Sequence, residues 1–176
     1  MLANTTRTKT FPQYFAKRFE RGVEVAELSV RARDREVGEL LFALAALPPQ
    51  LGAAARLLGK PKGAGAQEEG QATERSRRTH TVRVETRQSM AQPEKPVVIE
   101  VAADTPCEGL AARVAEAVAQ NAGVELQLAG TEAASNAVLA LERVDSSDSL
   151  TKELLFAPHY MLANDTTSIS VSVVAA

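Results

Sequence analysis

Hydrophobic and polar residues alternate along residues 24–33 (EVAELSVRAR), and this spacing predicts a strand with one buried face. Asp34 can cap a following helix, in which apolar residues recur at spacings of three and four before Pro48-Pro49 ends the pattern. A second short helix is expected over residues 50–58. The early part of the chain is therefore predicted to be a strand-helix-helix unit.

A polar stretch separates this unit from the rest of the chain. Residues 59–79 (GKPKGAGAQEEGQATERSRRT) combine glycine, alanine and charge with almost no large apolar side chain, a composition typical of a flexible linker. Alternation returns at residues 80–88 (HTVRVETRQ), where Val82 and Val84 are expected to face away from the neighbouring charged residues. A second strand is predicted there, followed by a short connector that contains two prolines.

The last part of the chain shows the strand and helix patterns in a regular order. Thr105-Pro106-Cys107-Glu108 has the pattern of a capping box with proline at the first helical position, and Gly123 is expected to end that helix. Asn164-Asp165 is expected to turn the chain between the last two strands. The predicted elements are strand 97–103, helix from Thr105, strand 124–129, helix 131–144, and strands 154–159 and 168–174.

These patterns predict an α+β fold, in which a β-α-β-α-β-β module follows a basic strand-helix-linker-strand extension. The predicted segments are an amphipathic N-terminal segment (1–22), the strand-helix-helix unit (23–58), the linker (59–79), a strand with its connector (80–93) and the module (94–176).

Charge divides the chain between these segments. Residues 94–176 hold twelve acids and four bases, a net charge of −8. That leaves sixteen bases and ten acids, a net charge of +6, for residues 1–93. Such asymmetry indicates a basic, anion-seeking part joined to a part with a different role.

Four passages of the module carry a resemblance to a known family: VIEVAADTPCEGLAARVAEAV, VELQLAGTEAASNAVLALERV, the strand end FAPHY and the closing strand TSISVSV. In their order and spacing, from about Val97 to Val174, they resemble the stage V sporulation protein S family, whose domain is Alba-like. The resemblance implies dimerisation through a sheet edge or through helices. It also implies that lysines near the first strand-helix junction and along the second helix bind DNA or RNA.

The chain departs from the family at those lysines, because Asp104 and Leu139 stand at the corresponding positions. Neutralisation of phosphates supplies most of the affinity of a protein for nucleic acid. A module with a net charge of −8 is therefore expected to repel the phosphate backbone, and RNA contacts are expected in the basic half instead.

Two groups of bases in the N-terminal half could contact RNA phosphates, since planar guanidinium groups pair well with phosphate or carboxylate. The alternative for the strand residues is an ordinary solvated face matched to Glu27 and Glu85. The predicted nucleic-acid-binding residues are Arg31, Arg33, Arg83 and Arg87 on the two early strands, and Lys60, Lys62, Arg75, Arg77 and Arg78 in the linker.

The first nineteen residues are basic and contain no acid, with Phe11, Phe15 and Phe19 at helical spacing. This composition is typical of a mitochondrial presequence. The alternative is a retained helix whose phenylalanines dock on a partner or on the chain's own core. The mitochondrial matrix is the expected location and the cytoplasm the alternative. No membrane contact is expected, because no apolar run approaches the roughly 18 residues needed to span a bilayer.

Nothing in the sequence indicates an active site. Cys107 is the single cysteine, and a small residue packed at a helix entrance is a simpler interpretation than a reactive thiol. His159 has no nearby acid or nucleophile in the sequence to orient it as a general base. We therefore expect no catalytic, cofactor-binding or metal-binding residues, and no enzyme.

These observations predict a noncatalytic structural or interaction subunit of a larger assembly, a ribonucleoprotein such as a mitochondrial ribosome. In this hypothesis the basic half contacts RNA or an acidic partner, and the acidic Alba-like module contacts proteins. The alternative is a free-standing Alba-like regulator that binds DNA or RNA as a homodimer.

Overall fold

The computed structural model describes residues 11–33, 36–47, 53–58, 78–86, 95–120, 122–147, 153–163 and 166–175. These residues form helices on a seven-stranded mixed sheet, which confirms the α+β class. Across the sheet the strands follow the order β1-β3-β2-β6-β7-β5-β4. In chain order the elements are α1 (Phe11–Glu20), β1 (Val25–Ala32), α2 (Glu39–Ala45), β2 (Ala53–Leu58), β3 (Arg78–Thr86), β4 (Val97–Val101), α3 (Cys107–Ala119), β5 (Val124–Leu128), α4 (Gly130–Ser146), β6 (Leu154–Ala163) and β7 (Thr166–Ala175).

One row of apolar residues crosses the whole sheet and belongs to both halves of the chain. Every member except Val97, at the β4 edge, is buried in the core. Because directly paired residues share a face, this row lies on the side that the helices cover. From β4 to β1 its members are Val97, Val124, Val173, Phe156, Ala55, Val84 and Ala26.

The module has the predicted element order. Strands β4 and β5 are parallel and α3 joins them, whereas β7 is antiparallel to both β5 and β6. The apolar residues at helical spacing on α3 (Leu110, Val114, Val118) and on α4 (Ala134, Val138, Leu141) are buried. The predicted turn at Asn164-Asp165 lies outside the described residues, between paired residues Ala163 and Thr166.

The predicted capping box is wrong. Helix α3 begins after Pro106, and the hydroxyl of Thr105 accepts a hydrogen bond from the Ala102 amide (2.8 Å) instead of capping the helix. Strand β4 ends at Val101 because the chain turns immediately after it. Gly123 does not end α3, which stops at Ala119.

The predicted second helix over residues 50–58 is also wrong, since Ala53–Leu58 forms strand β2. Alanine and leucine favour helices in isolation, but here β3 offers six consecutive partners along β2. Strand β3 starts at Arg78, so the end of the predicted linker belongs to the sheet. The rest of that linker, residues 59–77, lies outside the described residues.

Helix α1 is part of the core. Phe15 is fully buried and Phe19 is 8 % exposed, in the same apolar cluster as Leu41 of α2. Phe15 and Phe19 thus pack on the chain's own core, as the docking-helix interpretation expects, and the presequence interpretation stays a prediction. In the part of the chain that the structure describes, no helix is long and apolar enough to cross a membrane.

Candidate interaction surfaces

The two early strands pair, as the prediction of a shared arginine face requires. Strand β1 is antiparallel to β3, with Glu27 opposite Arg83 and Arg31 opposite Thr79. Arg78 lies opposite Ala32 at the end of the same ladder. Arg33 follows the end of β1. The other predicted RNA-binding residues, Lys60, Lys62, Arg75, Arg77 and Arg87, lie outside the described residues.

The described arginine side chains of this group form ion pairs within the chain. Arg83 lies 2.8 Å from the carboxylate of Glu85 and 3.8 Å from that of Glu27. Arg33 lies 3.7 Å from Glu36, which also accepts a hydrogen bond from the Arg33 backbone amide. These contacts match the solvated-face alternative and leave less positive charge for a phosphate.

Two ion pairs of Arg56 and a hydrogen bond between His80 and Glu142 join the N-terminal half to the module, and we call these three contacts the charged seam. His80 on β3 lies 2.6 Å from Glu142 on α4 and is only 3 % exposed. Arg56 on β2 lies 3.2 Å from Asp145 and 2.5 Å from Glu153. The Asp145 side chain is 8 % exposed, so its charge is largely removed from water. Opposite charges of the two halves therefore meet inside one molecule.

The charge count changes when it is taken over the described residues. In residues 1–93 they include eight bases and six acids, a net charge of +2. The other residues of that half carry eight bases and four acids, a net charge of +4. Of the net charge of +6, +4 therefore belongs to residues outside the described ranges, and residues 59–77 contribute +1 of it.

A polar cluster occupies the sheet face opposite the helices. Glu125 on β5 accepts hydrogen bonds from Ser170 and Ser172 (2.8 Å) on β7, and His159 on β6 lies 3.4 Å from the same carboxylate. Small serines on the middle strand let the longer side chains of the flanking strands meet above them. The hydroxyls donate to Glu125 and not to His159, which differs from the arrangement of a serine nucleophile with a histidine base.

The positions of the expected family lysines differ in exposure. Asp104 is exposed in the turn after β4, whereas Leu139 on α4 packs against the core. Asn136, also on α4, donates hydrogen bonds to the carbonyls of Ala103 (3.0 Å) and Thr105 (3.1 Å). This amide fixes the turn after β4 against α4, a contact that the sequence pattern did not indicate.

Helices α3 and α4 are also joined at the surface. Arg143 donates a hydrogen bond to Glu108 at 2.9 Å, and both side chains are mostly exposed. That hydrogen bond raises the pKa of Arg143 above its ordinary value. Cys107, beside Glu108, is partly buried against the core. Among the described residues, no group of three or more His, Cys, Asp or Glu side chains could hold a metal ion.

Among the described residues β4 is the last strand of the sheet, and its outer edge, which we call the free edge of β4, exposes apolar side chains. Val97 is 42 % exposed and Val98 51 %, the two largest values among the exposed valines. Glu100 on the same strand and Asp104 beyond it are exposed carboxylates. An exposed strand edge of this kind is a template for pairing with another chain.

Neither protein-family models nor curated proteins show a match to this chain. The functional argument therefore depends on the charges and contacts of the surfaces described above.

Proposed function

We propose that this protein is a noncatalytic subunit of a larger assembly, a ribonucleoprotein such as a mitochondrial ribosome. The observation that carries the proposal is the charged seam, in which Arg56 forms ion pairs with acids of the module and His80 forms a hydrogen bond with Glu142. Because those two side chains contact the module within the chain, contacts to a partner are assigned to the other charged residues. The remaining charges are basic in the N-terminal half and acidic in the module.

The RNA contact is assigned to the bases of residues 60–78. Arg33 and Arg83 have carboxylate partners within the chain, so they have less to gain from a phosphate. Residues 60–77 hold four bases, Lys60, Lys62, Arg75 and Arg77, and these lie in two groups on either side of Glu68 and Glu69 in the sequence. Contacts of this kind neutralise backbone phosphates and carry no base readout.

The protein contact is assigned to the module, for which we propose an Alba-like fold. The β-α-β-α-β-β order over residues 97–175 supports that assignment. Asp104 would repel a phosphate at the first strand-helix junction, and the partly buried Leu139 offers no cation on α4. A fold of this class with an acidic surface is suited to basic protein segments.

The test compares two variants of the full chain that each lose two arginine charges. Arg75→Gln with Arg77→Gln is expected to weaken binding to a single-stranded RNA and to reduce the log-log salt slope by about 1.4, since each lost contact contributes about 0.7. Arg33→Gln with Arg83→Gln is the matched control and is expected to leave the slope unchanged. Fluorescence anisotropy at several salt concentrations measures both.

Equal losses in the two variants would contradict the assignment to residues 60–78. No RNA binding by the unaltered chain at low salt would remove the RNA role altogether. Gradient sedimentation of the tagged protein from its source cells then tests the assembly itself. Sedimentation as a free dimer would favour the nucleic-acid-binding regulator over the subunit.

A further inference from the structure

The free edge of β4 presents a short, bounded set of hydrogen-bonding groups. The Val97 amide donates to the Gly123 carbonyl (2.8 Å), and the Val101 carbonyl accepts from the Ala129 amide (3.1 Å). In a parallel pair, alternate residues direct their amide and carbonyl groups to the neighbouring strand. Residues 97, 99 and 101 therefore face β5, and the backbone groups of Val98 and Glu100 face outward.

Both ends of this outward set are closed. Pro96 precedes it and has no backbone N–H to offer. The Ala102 amide, which follows it, donates to the hydroxyl of Thr105 at 2.8 Å. The edge can thus pair with a strand of a few residues through Val98 and Glu100. A longer ladder would have to break the hydrogen bond from Ala102 to Thr105 or extend past Pro96, which has no N–H to donate.

We infer that this edge binds an extended peptide of another protein with the pattern basic-x-apolar-apolar, and this inference rests on the protein-binding role proposed for the module. In an antiparallel added strand, the basic residue lies opposite Glu100. The two apolar residues lie opposite the exposed side chains of Val98 and Val97. Main-chain hydrogen bonds supply affinity in this mode of recognition, and the alternating side chains supply specificity.

Charge distinguishes this occupant from a second copy of the chain. In the registers that pair Val98 and Glu100 antiparallel with a second β4, Glu100 lies opposite Pro96, Val98 or the second Glu100. None of these residues supplies a base. Opposite charges on directly facing residues stabilise strand pairs, and like charges destabilise them. A basic residue opposite Glu100 would be favourable, and a second copy of β4 does not supply one in these registers.

The test uses the full chain and an acetylated, amidated peptide that contains Lys-Thr-Val-Val. Val98→Pro removes the outward amide, which an edge strand tolerates because that amide does not bond within the sheet. We expect it to weaken binding about tenfold or more. Val25→Lys is the control, since Val25 is 40 % exposed at β1, the opposite edge, and should not affect binding.

A charge exchange separates pairing at this site from non-specific attraction. Glu100→Lys should weaken binding of the lysine peptide severalfold. The same change should strengthen binding of a peptide that has glutamate in place of that lysine. Calorimetry measures affinity, and hydrogen exchange at Val98 and Glu100 should slow on binding. Circular dichroism and thermal unfolding establish that each variant is folded.

Unchanged binding by Val98→Pro, or no binding by the unaltered chain, would overturn the inference. A homodimer that Val98→Pro dissociates would overturn it in favour of a second copy on the edge. The RNA salt slope and the sedimentation of the tagged protein do not depend on the peptide. Failure of the peptide test would therefore contradict only the binding site at the β4 edge. Failure of the proposed subunit role would be seen in the RNA salt slope and in the sedimentation.

Discussion

The two halves of the sheet reach a common core with different side chains. In the module, Ile99, Leu126 and Val171 lie side by side across β4, β5 and β7, so the strands themselves supply the apolar volume. In the N-terminal half the corresponding surface includes the smaller Ala26 and Ala55. Helix α1 adds Phe15 and Phe19 to the core that both halves share.

The junction between the two halves of the sheet depends more on side-chain contacts, including ion pairs, than on backbone pairing. Among the described residues, strands β2 and β6 share one paired position, Ala55 with Phe156, so the backbone contributes little to the join. The charged seam and the close approach of α2 to α4 add side-chain contacts across it. The net charge of a segment can therefore reflect ion pairs within the folded chain as well as contacts to a ligand.

The largest expected effect comes from removing α1's contribution to the core. Phe15→Ala should lower the free energy of unfolding by about 4 kcal/mol, because the side chain is fully buried and leaves a cavity. Chemical denaturation measures the loss. Lys17→Ala, an exposed change in the same helix, should alter stability by less than about 0.5 kcal/mol. Equal effects of the two changes would show that α1 does not complete the core.

The next effect tests the contact between α2 and α4. A Cβ atom at Gly38 would lie 2.5 Å from the Ser135 nitrogen and from the Thr131 oxygen, both backbone atoms of α4. Gly38→Ala should therefore cost about 3 kcal/mol and loosen the junction. Gly109→Ala in α3 meets nothing within 4 Å and should be neutral or stabilising by about 0.5 kcal/mol. A neutral Gly38→Ala would mean that the helices can separate without cost.

The smallest effect separates the charged seam from an ordinary surface ion pair. Arg56→Met leaves Asp145, whose side chain is 8 % exposed, without its ion-pair partner, and should cost about 2 kcal/mol. Arg143→Met breaks an exposed pair with Glu108 and should cost less than about 0.5 kcal/mol. Adding Asp145→Asn to the Arg56 change should recover part of the loss. No recovery in that double variant would show that the two charges are not coupled.

Sequence periodicity predicted the module better than the N-terminal half for a physical reason. Each strand and helix of the module carries an apolar series of its own, and α3 and α4 bury the apolar residues that recur at helical spacing. Strand β2 carries no such alternation, since AAARLL suits a helix equally well. Only its pairing with β3, which follows later in the chain, determines its conformation.

The candidate sites depended even more on distant contacts. The sequence indicated that Glu27 and Glu85 could match the arginines of the early strands, and Arg83 does pair with both. The pairing of Arg56 with Asp145 could not be predicted, because the two residues are 89 positions apart and the strand holding Arg56 was expected to be a helix. The free edge of β4 likewise requires the strand order, which periodicity does not contain.

The place of β3 between β1 and β2 has a consequence for synthesis. Strand β3 pairs with both neighbours, although it follows both of them in the chain. During translation, β1, α2 and β2 leave the ribosome before the strand that connects them exists, and they cannot close their part of the sheet alone. The junction of Ala55 with Phe156 forms later still. The part of the sheet that is made first therefore closes only after β3 has been made, and its join to the module forms only after β6 has been made.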